Sequence, residues 1–443
     1  MALSGGIILI YMLDIKFIRE NSEVVKEAAK NKNVNVDIDR LLNLDNEVVS
    51  LRQALDELRQ KRNENAEQMK GGKPSDEAIA EGKRIKEDIA EFEGRLNPLE
   101  DELFELMYKV PNIPEPEVPI GASEEENVVV AEFGEKPEFD FEPKNHWEIA
   151  QAKDWIDKER AAKVAGARFA YVKGEMFKLQ FALVNFVSDR LTDEGWLKDV
   201  AGSAKLNVST KPFVPVIPPM MVKTKPFKGT GRLSKEEQTY QVDDDELWLN
   251  ASAEHSICPM YMDEILPEND LPVRYLGYAT SFRKEAGTYG KDMEGILRMH
   301  QFDKLEMETF TTKEKSKSEH LFLIAIQQRL LEELGLHYQF LEKCTADIGT
   351  PNAKGVDLET WFPGQDKFRE TSSADLMNDF QARRLNMRVR RNSGELEFIH
   401  TNDATGIVMS RIPPAIIENY QTEDGDVVIP EVLRKYMGDK ERI

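Results

Sequence analysis

Within FRKEAGTYGKDMEGILRMHQFDKLEM, residues 282–307, Arg283 and Arg298 stand close in the chain to Phe302 and Glu306. From Ile296 onward the residue types alternate, which is the period of a strand with two unlike faces. Leu297, Met299, Leu305 and Met307 fall on one face, and Arg298, His300, Phe302, Lys304 and Glu306 on the other. A large aromatic alone on a polar face has two readings. It is a cross-strand packing partner, or it is a platform for a flat ligand ring, flanked by a cation for phosphates and a carboxylate for an amine. Arg283 and Glu285 share a face of the preceding strand, and residues 286–295, with three glycines, can return the chain antiparallel so that both arginines converge.

The rest of the chain must hold that strand pair in place. At 443 residues it has room for two or more domains and a substantial core, and 32% charged with 40% hydrophobic residues is an ordinary soluble balance. The formal net charge of -22 argues against indiscriminate binding to nucleic acid or anionic membrane, leaving that role to a local basic patch. Cys258 and Cys344 are the two cysteines, and His255 near the first has no second Cys/His pair to complete a metal site, which argues against a disulfide framework and a structural zinc. The apolar run GGIILIYM, residues 5–12, is too short to span a bilayer and lacks a basic start and a cleavage site. A cytoplasmic protein without membrane association is expected. MLDIKFIREN from Met12 reads as a natural opening, so residues 1–11 are an upstream extension or a frayed tail.

Leu44, Val48, Leu51, Leu55 and Leu58 follow a heptad, and Ile85, Ile89, Phe92, Leu96, Leu99, Leu103 and Leu106 repeat it. Between them Gly71, Gly72 and Pro74 break the helix and Ser75 can cap the next. The pattern predicts a long antiparallel hairpin, kinked at Pro98, with helices of about thirty residues that reach on the order of 45 Å from the body. Arg59, Lys61, Arg62, Lys70, Lys73, Lys83, Arg84 and Lys86 crowd its distal half, with acids interspersed, whereas Asp45, Glu47, Glu91, Glu93, Glu100, Asp101 and Glu102 lie nearer the root. That surface is either a solvated face or an arm reaching for a phosphate backbone. The proline- and acid-rich segment from Val110 reads as a hinge, so the chain divides into an arm at 12–110, a hinge at 111–140 and a body of mixed helices and strands at 141–443. The chain contains no GxGxxG, no GxxxxGK[ST] and no internal repeat. A nucleotide here would be held by side chains on a sheet.

FRKEAG followed by ILRMHQFDKLEM resembles motif 2 of the class II aminoacyl-tRNA synthetases, GIVMSRIPPAIIENYQ resembles motif 3, and VPVIPPMMV, with Pro219, is similar to motif 1. The N-terminal heptad hairpin, LWLNASAEHS, RMHQFDKLEM, KFRETSSADLMNDFQARR and IENYQTEDGDVVIPEVLRKYM, in this order, resemble the seryl-tRNA synthetases over almost the whole chain from Met12, and the isolated cysteines match their zinc-independent kind. The resemblance implies an α+β fold, a coiled-coil hairpin followed by a class II catalytic domain with an antiparallel sheet flanked by helices. It implies ATP-dependent activation of L-serine to seryl-adenylate with Mg²⁺, then transfer to the 3′ end of serine tRNA and selenocysteine tRNA. A homodimer through motif 1 is implied, its hairpins gripping the long variable arm with the basic residues named above.

The resemblance also implies roles. Arg283 would grip the α-phosphate and Arg298 the β- and γ-phosphates, with Lys284 alongside; Arg411 would stack on the adenine opposite Phe302, while Glu285 and the backbone near Met299 meet its edge. Glu370 and Ser373 would ligate Mg²⁺, within the nucleotide-binding run Glu370, Thr371, Ser372 and Ser373. Serine would fall to Ser252, Ala253, Glu254, Glu306 and Thr405, with Arg283 at its carboxylate. Taken alone, Ser252 and Thr405 fit loop or cap positions and a lone glutamate a solvated one. His300 reads as structural, since the chemistry needs no imidazole base. Ser252 stands where relatives usually have Thr, Asp403-Ala404-Thr405 replaces a typical Asn-Gly-Ser, Pro413-Pro414 open the motif-3 helix, and residues 198–213 look like an insertion. The rivals are a serine-activating homologue that loads a carrier other than tRNA and a non-enzymatic coiled-coil adaptor.

Overall fold

The computed structural model describes residues 13–70, 75–233, 239–242, 246–285 and 295–443. The predicted opening at Met12, the turn with Gly71, Gly72, Lys73 and Pro74, and most of the glycine-rich loop after Glu285 lie outside the described residues. The chain forms two compact units, Met1–Ile113 and Pro114–Ile443.

In the first unit, two short helices precede α1 (Ile38–Met69) and α2 (Asp76–Lys109). The heptad residues form its core: Leu44, Val48, Leu55, Ile85, Ile89, Leu96 and Leu103 are buried, and Leu51, Leu58, Phe92, Leu99 and Leu106 pack against them. Ser75 caps α2 by accepting the Ala78 N–H, and α2 runs on through Pro98. Cross-helix pairs fix the register, Arg40 with Glu102 at 2.9 Å and Arg52 with Glu100 at 2.6 Å.

The second unit is built on an eight-stranded sheet. Its strands in chain order are β1 (Val128–Phe133), β2 (Val214–Val216), β3 (Val273–Phe282), β4 (Gln301–Thr311), β5 (Tyr338–Glu342), β6 (Lys354–Phe362), β7 (Lys367–Asn378) and β8 (His400–Val408). They lie in the order β1-β5-β6-β7-β8-β4-β3-β2, antiparallel throughout except for the parallel β2–β3 pair. This is the expected α+β fold. Two details differ from the sequence reading. The alternating strand opens at Gln301, five residues later than Ile296, because 295–300 turn before pairing begins. Part of the proline-rich segment is edge strand: Val128–Phe133 pairs with β5, and Glu115 N–H bonds Ala353 O at 2.8 Å. Its valines carry no helical period, and a free sheet edge takes them up.

One sheet face is covered by α3 (Gly174–Leu191) and α5 (Ser316–Glu333), which close the main core with Leu305 and Met307. The other face meets the single-turn α4 (Glu254–Ile257), whose Ile257 packs with Ala279 and Phe310. After β8 the chain enters α6 (Ile412–Asn419), and its two prolines fall in the first turn, where their missing N–H groups cost nothing. The expected insertion at 198–213 is integral to this body. Val200 and Ala201 lie in the core, and buried Arg274 donates to the carbonyls of Ser209 at 2.7 Å and Lys211 at 2.8 Å while paired with Glu319.

Candidate active site

Lys304, Glu306 and Glu308 share one face of β4 at the strand period, and β8 sets Thr405 opposite Glu306 and Asp403 opposite Glu308. Across β3, Gly277 stands opposite Glu306. A Cβ on Gly277 would lie 2.4 Å from Ile257 Cδ1 and 3.0 Å from Ala253 Cβ, so glycine is what lets α4 descend onto the strands. That descent brings the SAE segment against Glu306. One Glu306 oxygen accepts the Glu254 N–H at 3.1 Å and the Ser252 hydroxyl, and the other is paired with the Lys304 ammonium. Glu254 accepts Arg232 Nε at 3.0 Å and Gln381 Nε2 at 2.7 Å, and Arg232 reaches on to Asp375 at 3.3 Å and Asp403 at 3.8 Å.

Five carboxylates, Glu254, Glu306, Glu308, Asp375 and Asp403, thus gather about two cations, Arg232 and Lys304. Burial pushes Glu308 and Asp403 well above the ordinary carboxylate value, and their acidic neighbours add to the rise. Burial also raises Glu254, against the pull of Arg232. Glu306 moves the other way: burial acts against its charge, but Lys304, the Ser252 hydroxyl and the Glu254 N–H more than offset it. Buried carboxylates that outnumber their cations are costly to keep charged. His255 takes no part as an acid, since burial and the nearby cations hold it well below its usual value while its Nδ1 accepts the Ala251 N–H at 3.1 Å.

Phe302 lies farther along the same face. Phe302 pairs with Ser281, and the Arg283 guanidinium lies 5.2 Å from the Phe302 ring centroid while donating to Ala251 O at 3.2 Å. Arg283 and His300 extend the ladder beyond the strands, with Arg283 N–H to His300 O at 3.0 Å and the His300 ring 2.9 Å from Arg283 O. Arg298 meets the Glu285 carboxylate at 3.3 Å, Lys284 lies 5.5 Å from the Tyr240 ring, and Met299 is buried in the main core. Arg411 stands at the start of α6. On β7, a register shift skips Thr371 in the strand pairing, sets Glu370 opposite Glu359 and Ser373 opposite Asp357, and lets the Thr371 hydroxyl bond Leu358 O at 3.1 Å. Ser372 is buried, and Ser373 Oγ lies 3.4 Å from Thr405 Oγ1, which ties this strand to the carboxylate cluster.

Residues 12–114 match the seryl-tRNA synthetase N-terminal domain, and residues 238–420 match the tRNA synthetase class II core domain (G, H, P, S and T). The serine–tRNA ligase of Thermodesulfovibrio yellowstonii is 39% identical over 436 residues, covering 96% of this chain and 99% of the relative. The chain belongs to the seryl-tRNA synthetase family. The serine–tRNA ligase of an Exiguobacterium species is 40% identical over 439 residues, covering 98% of this chain and 99% of the relative. Among solved structures, the seryl-tRNA synthetase of Pyrococcus horikoshii complexed with ATP superposes with a TM-score of 0.86 at 37% identity, covering 98% of this chain and 99% of that one. The cytoplasmic serine–tRNA ligase of Naegleria fowleri in complex with AMP gives 0.80 at 27% identity, with 98% of each chain covered. The comparisons support neither the carrier-loading enzyme nor the adaptor.

In this synthetase the motifs find Ser252, Glu254, Glu306 and Thr405 but miss their neighbours. Arg232, Asp375, Gln381 and the pairing role of Lys304 emerge only from strand register and the descent of α4. Arg168 was missed too; it donates to Glu285 O at 2.8 Å from a turn far upstream. The alternation around Glu306 could have flagged Lys304 and Glu308, since charge at two-residue spacing in a strand with buried neighbours demands partners.

Proposed function

We propose that this synthetase activates L-serine with ATP on the face of β3 and β4 and transfers the seryl group to the 3′ end of a serine tRNA, and of a selenocysteine tRNA. The observation that carries the reading is the shared face of Phe302 and Glu306. They stand four residue steps apart on the strand, roughly 13 Å at about 3.3 Å per residue, which is about the span of an amino acid joined to a nucleotide. Adenine stacks on Phe302 with Arg411 above, Glu285 and the Met299 backbone meet its edge, and Lys284 lies alongside. Arg283 takes the α-phosphate and Arg298 the distal phosphates. The ATP and AMP complexes of the two similar synthetases support a nucleotide here. Serine enters between Glu254, Glu306, Ser252, Ala253 and Thr405, its carboxylate toward Arg283, and attacks the α-phosphate in line, forming seryl-adenylate as the bond to the β-phosphate breaks and pyrophosphate leaves. The site contributes position and charge, with no protein nucleophile.

Magnesium fits the β7 residues. Exposed Glu370 and the Ser373 hydroxyl are hard oxygen donors, and among the described residues no group of three His, Cys, Asp or Glu gathers to hold a metal by itself. Glu370 and Ser373 would complete a cation's shell with nucleotide phosphates, and the ion would neutralise phosphate charge.

On the hairpin, Lys61, Arg62, Lys70, Lys83, Arg84 and Lys86 are exposed, and the i,i+3 pairs Lys70–Glu67 and Arg84–Glu81 are weak enough to exchange for phosphate. Arg59 is tied to Glu93 across the hairpin at 3.1 Å and contributes less. The long variable arm of the tRNA is their target, with Lys73 in the same tip sequence. A homodimer through motif 1 has support in exposed Val214, Ile217 and Met221 beside the edge strand β2. Among the described residues no helix is long and apolar enough to cross a membrane, and Cys258 and Cys344 are free thiols, which suits a cytoplasmic enzyme.

Amino-acid-dependent exchange of pyrophosphate into ATP tests the substrate. Serine alone among the standard amino acids should drive it strongly; equal exchange with alanine or threonine would overturn the serine assignment. Phe302→Ala should raise the KM for ATP about five- to tenfold and leave that for serine nearly unchanged. Equal effects on both would make Phe302 a packing residue.

A further inference from the structure

We propose that Lys304 is a positioning residue for serine recognition: its ammonium, set on one oxygen of Glu306, holds that carboxylate in a single orientation and supplies its counter-charge. The inference rests on the reading that Glu306 receives serine. A carboxylate offers about four lone-pair positions. On Glu306 the Ser252 hydroxyl and the Glu254 N–H occupy one oxygen and Lys304 approaches the other, so one position remains for a substrate donor, and Lys304 decides where it points.

The same strand holds its own control. Glu308 lies two residues on, on the same face and fully buried, and neither of its carboxylate oxygens has a hydrogen-bond partner. Burial and Asp403 push its carboxyl well above the ordinary range, toward the neutral form, whereas Glu306 is held below that range. The titratable and charged groups around it are Glu308 from β4 itself, Asp403 from β8, Asp375 from β7, Glu254 and His255 from α4, Arg232, and Arg283 beyond β3. Of the two cations in the cluster, Arg232 is engaged with Glu254, Asp375 and Asp403, and Lys304 with Glu306. Without Lys304, Glu306 would share the fate of Glu308. Its protonated form would then persist to higher pH, and serine binding would fail as pH drops through that raised value.

The test is the pH profile of kcat/KM for serine, at saturating ATP in the exchange assay, for the wild type, Lys304→Met and Lys304→Arg. Lys304→Met should lose about 100-fold at pH 6, its acid limb should move up by one pH unit or more, and Lys304→Arg should restore the wild-type shape. A Lys304→Met profile that is lower but unchanged in shape overturns the inference. Should that variant fail to fold, the wild type decides: an acid limb near pH 7 overturns the inference, and a flat profile down to pH 6 supports it. Glu306→Gln separates the two layers. An unchanged KM for serine in that variant defeats the reading of the serine site itself; a raised KM beside an unshifted Lys304→Met profile defeats only the role of Lys304.

Discussion

Arg283→Ala is expected to abolish serine-dependent pyrophosphate exchange in a protein that still folds. Among the described residues the guanidinium joins no hydrophobic core, and it meets the face of Phe302 at 5.2 Å and the carbonyl of Ala251 at 3.2 Å. Losing them costs little stability, since a neutral hydrogen bond nets only about 1 kcal/mol. The catalytic loss is far larger. As the serine carboxylate attacks, negative charge accumulates on the α-phosphate oxygens, and a preorganised guanidinium there is worth about 100- to 1,000-fold in rate. A second loss compounds it, because the Arg283 bond to Ala251 braces the residue before Ser252, so the serine pocket slackens too. Exchange rates together with thermal melting decide the matter. A variant that melts like the wild type and retains near-normal exchange would remove Arg283 from the phosphate.

What the bare sequence conveyed of this site follows from the range of the interactions. Alternation in β4 placed Phe302, Lys304 and Glu306 on one face because strand period is local, and the heptads of α1 and α2 were legible for the same reason. Arg232 could not be read that way. Its partners Glu254, Asp375 and Asp403 are far apart in the chain and meet only when β7 and β8 pair and α4 lies across them. Glu359 opposite Glu370 depends on a register shift that no composition signals. The valines of β1 were hidden in a segment whose prolines suggested a hinge. What ties residues 198–213 to the body is not legible locally either, since their anchor, Arg274, lies over sixty residues downstream. Polar partners chosen across strands are a tertiary property, and short-range pattern carries little of it.

Replacing residues 45–106 with a short flexible linker is expected to leave serine activation nearly intact and to collapse tRNA charging. The heptad residues of the hairpin form a hydrophobic core of their own, and every residue assigned to activation lies within Pro114–Ile443. Basic residues exposed on the distal hairpin are what a phosphate backbone would meet. Charging by the intact enzyme should therefore weaken steeply as salt rises, while pyrophosphate exchange responds far less, because only the former releases counterions from a polyanion. The decisive measurement is paired: pyrophosphate exchange and serine attachment to tRNA, on the same preparation of the shortened protein. Exchange near the wild-type rate with charging down at least about 100-fold is the expected result. Charging at the rate of the full chain would mean that the hairpin does not read tRNA and that its basic tip is only a solvated surface.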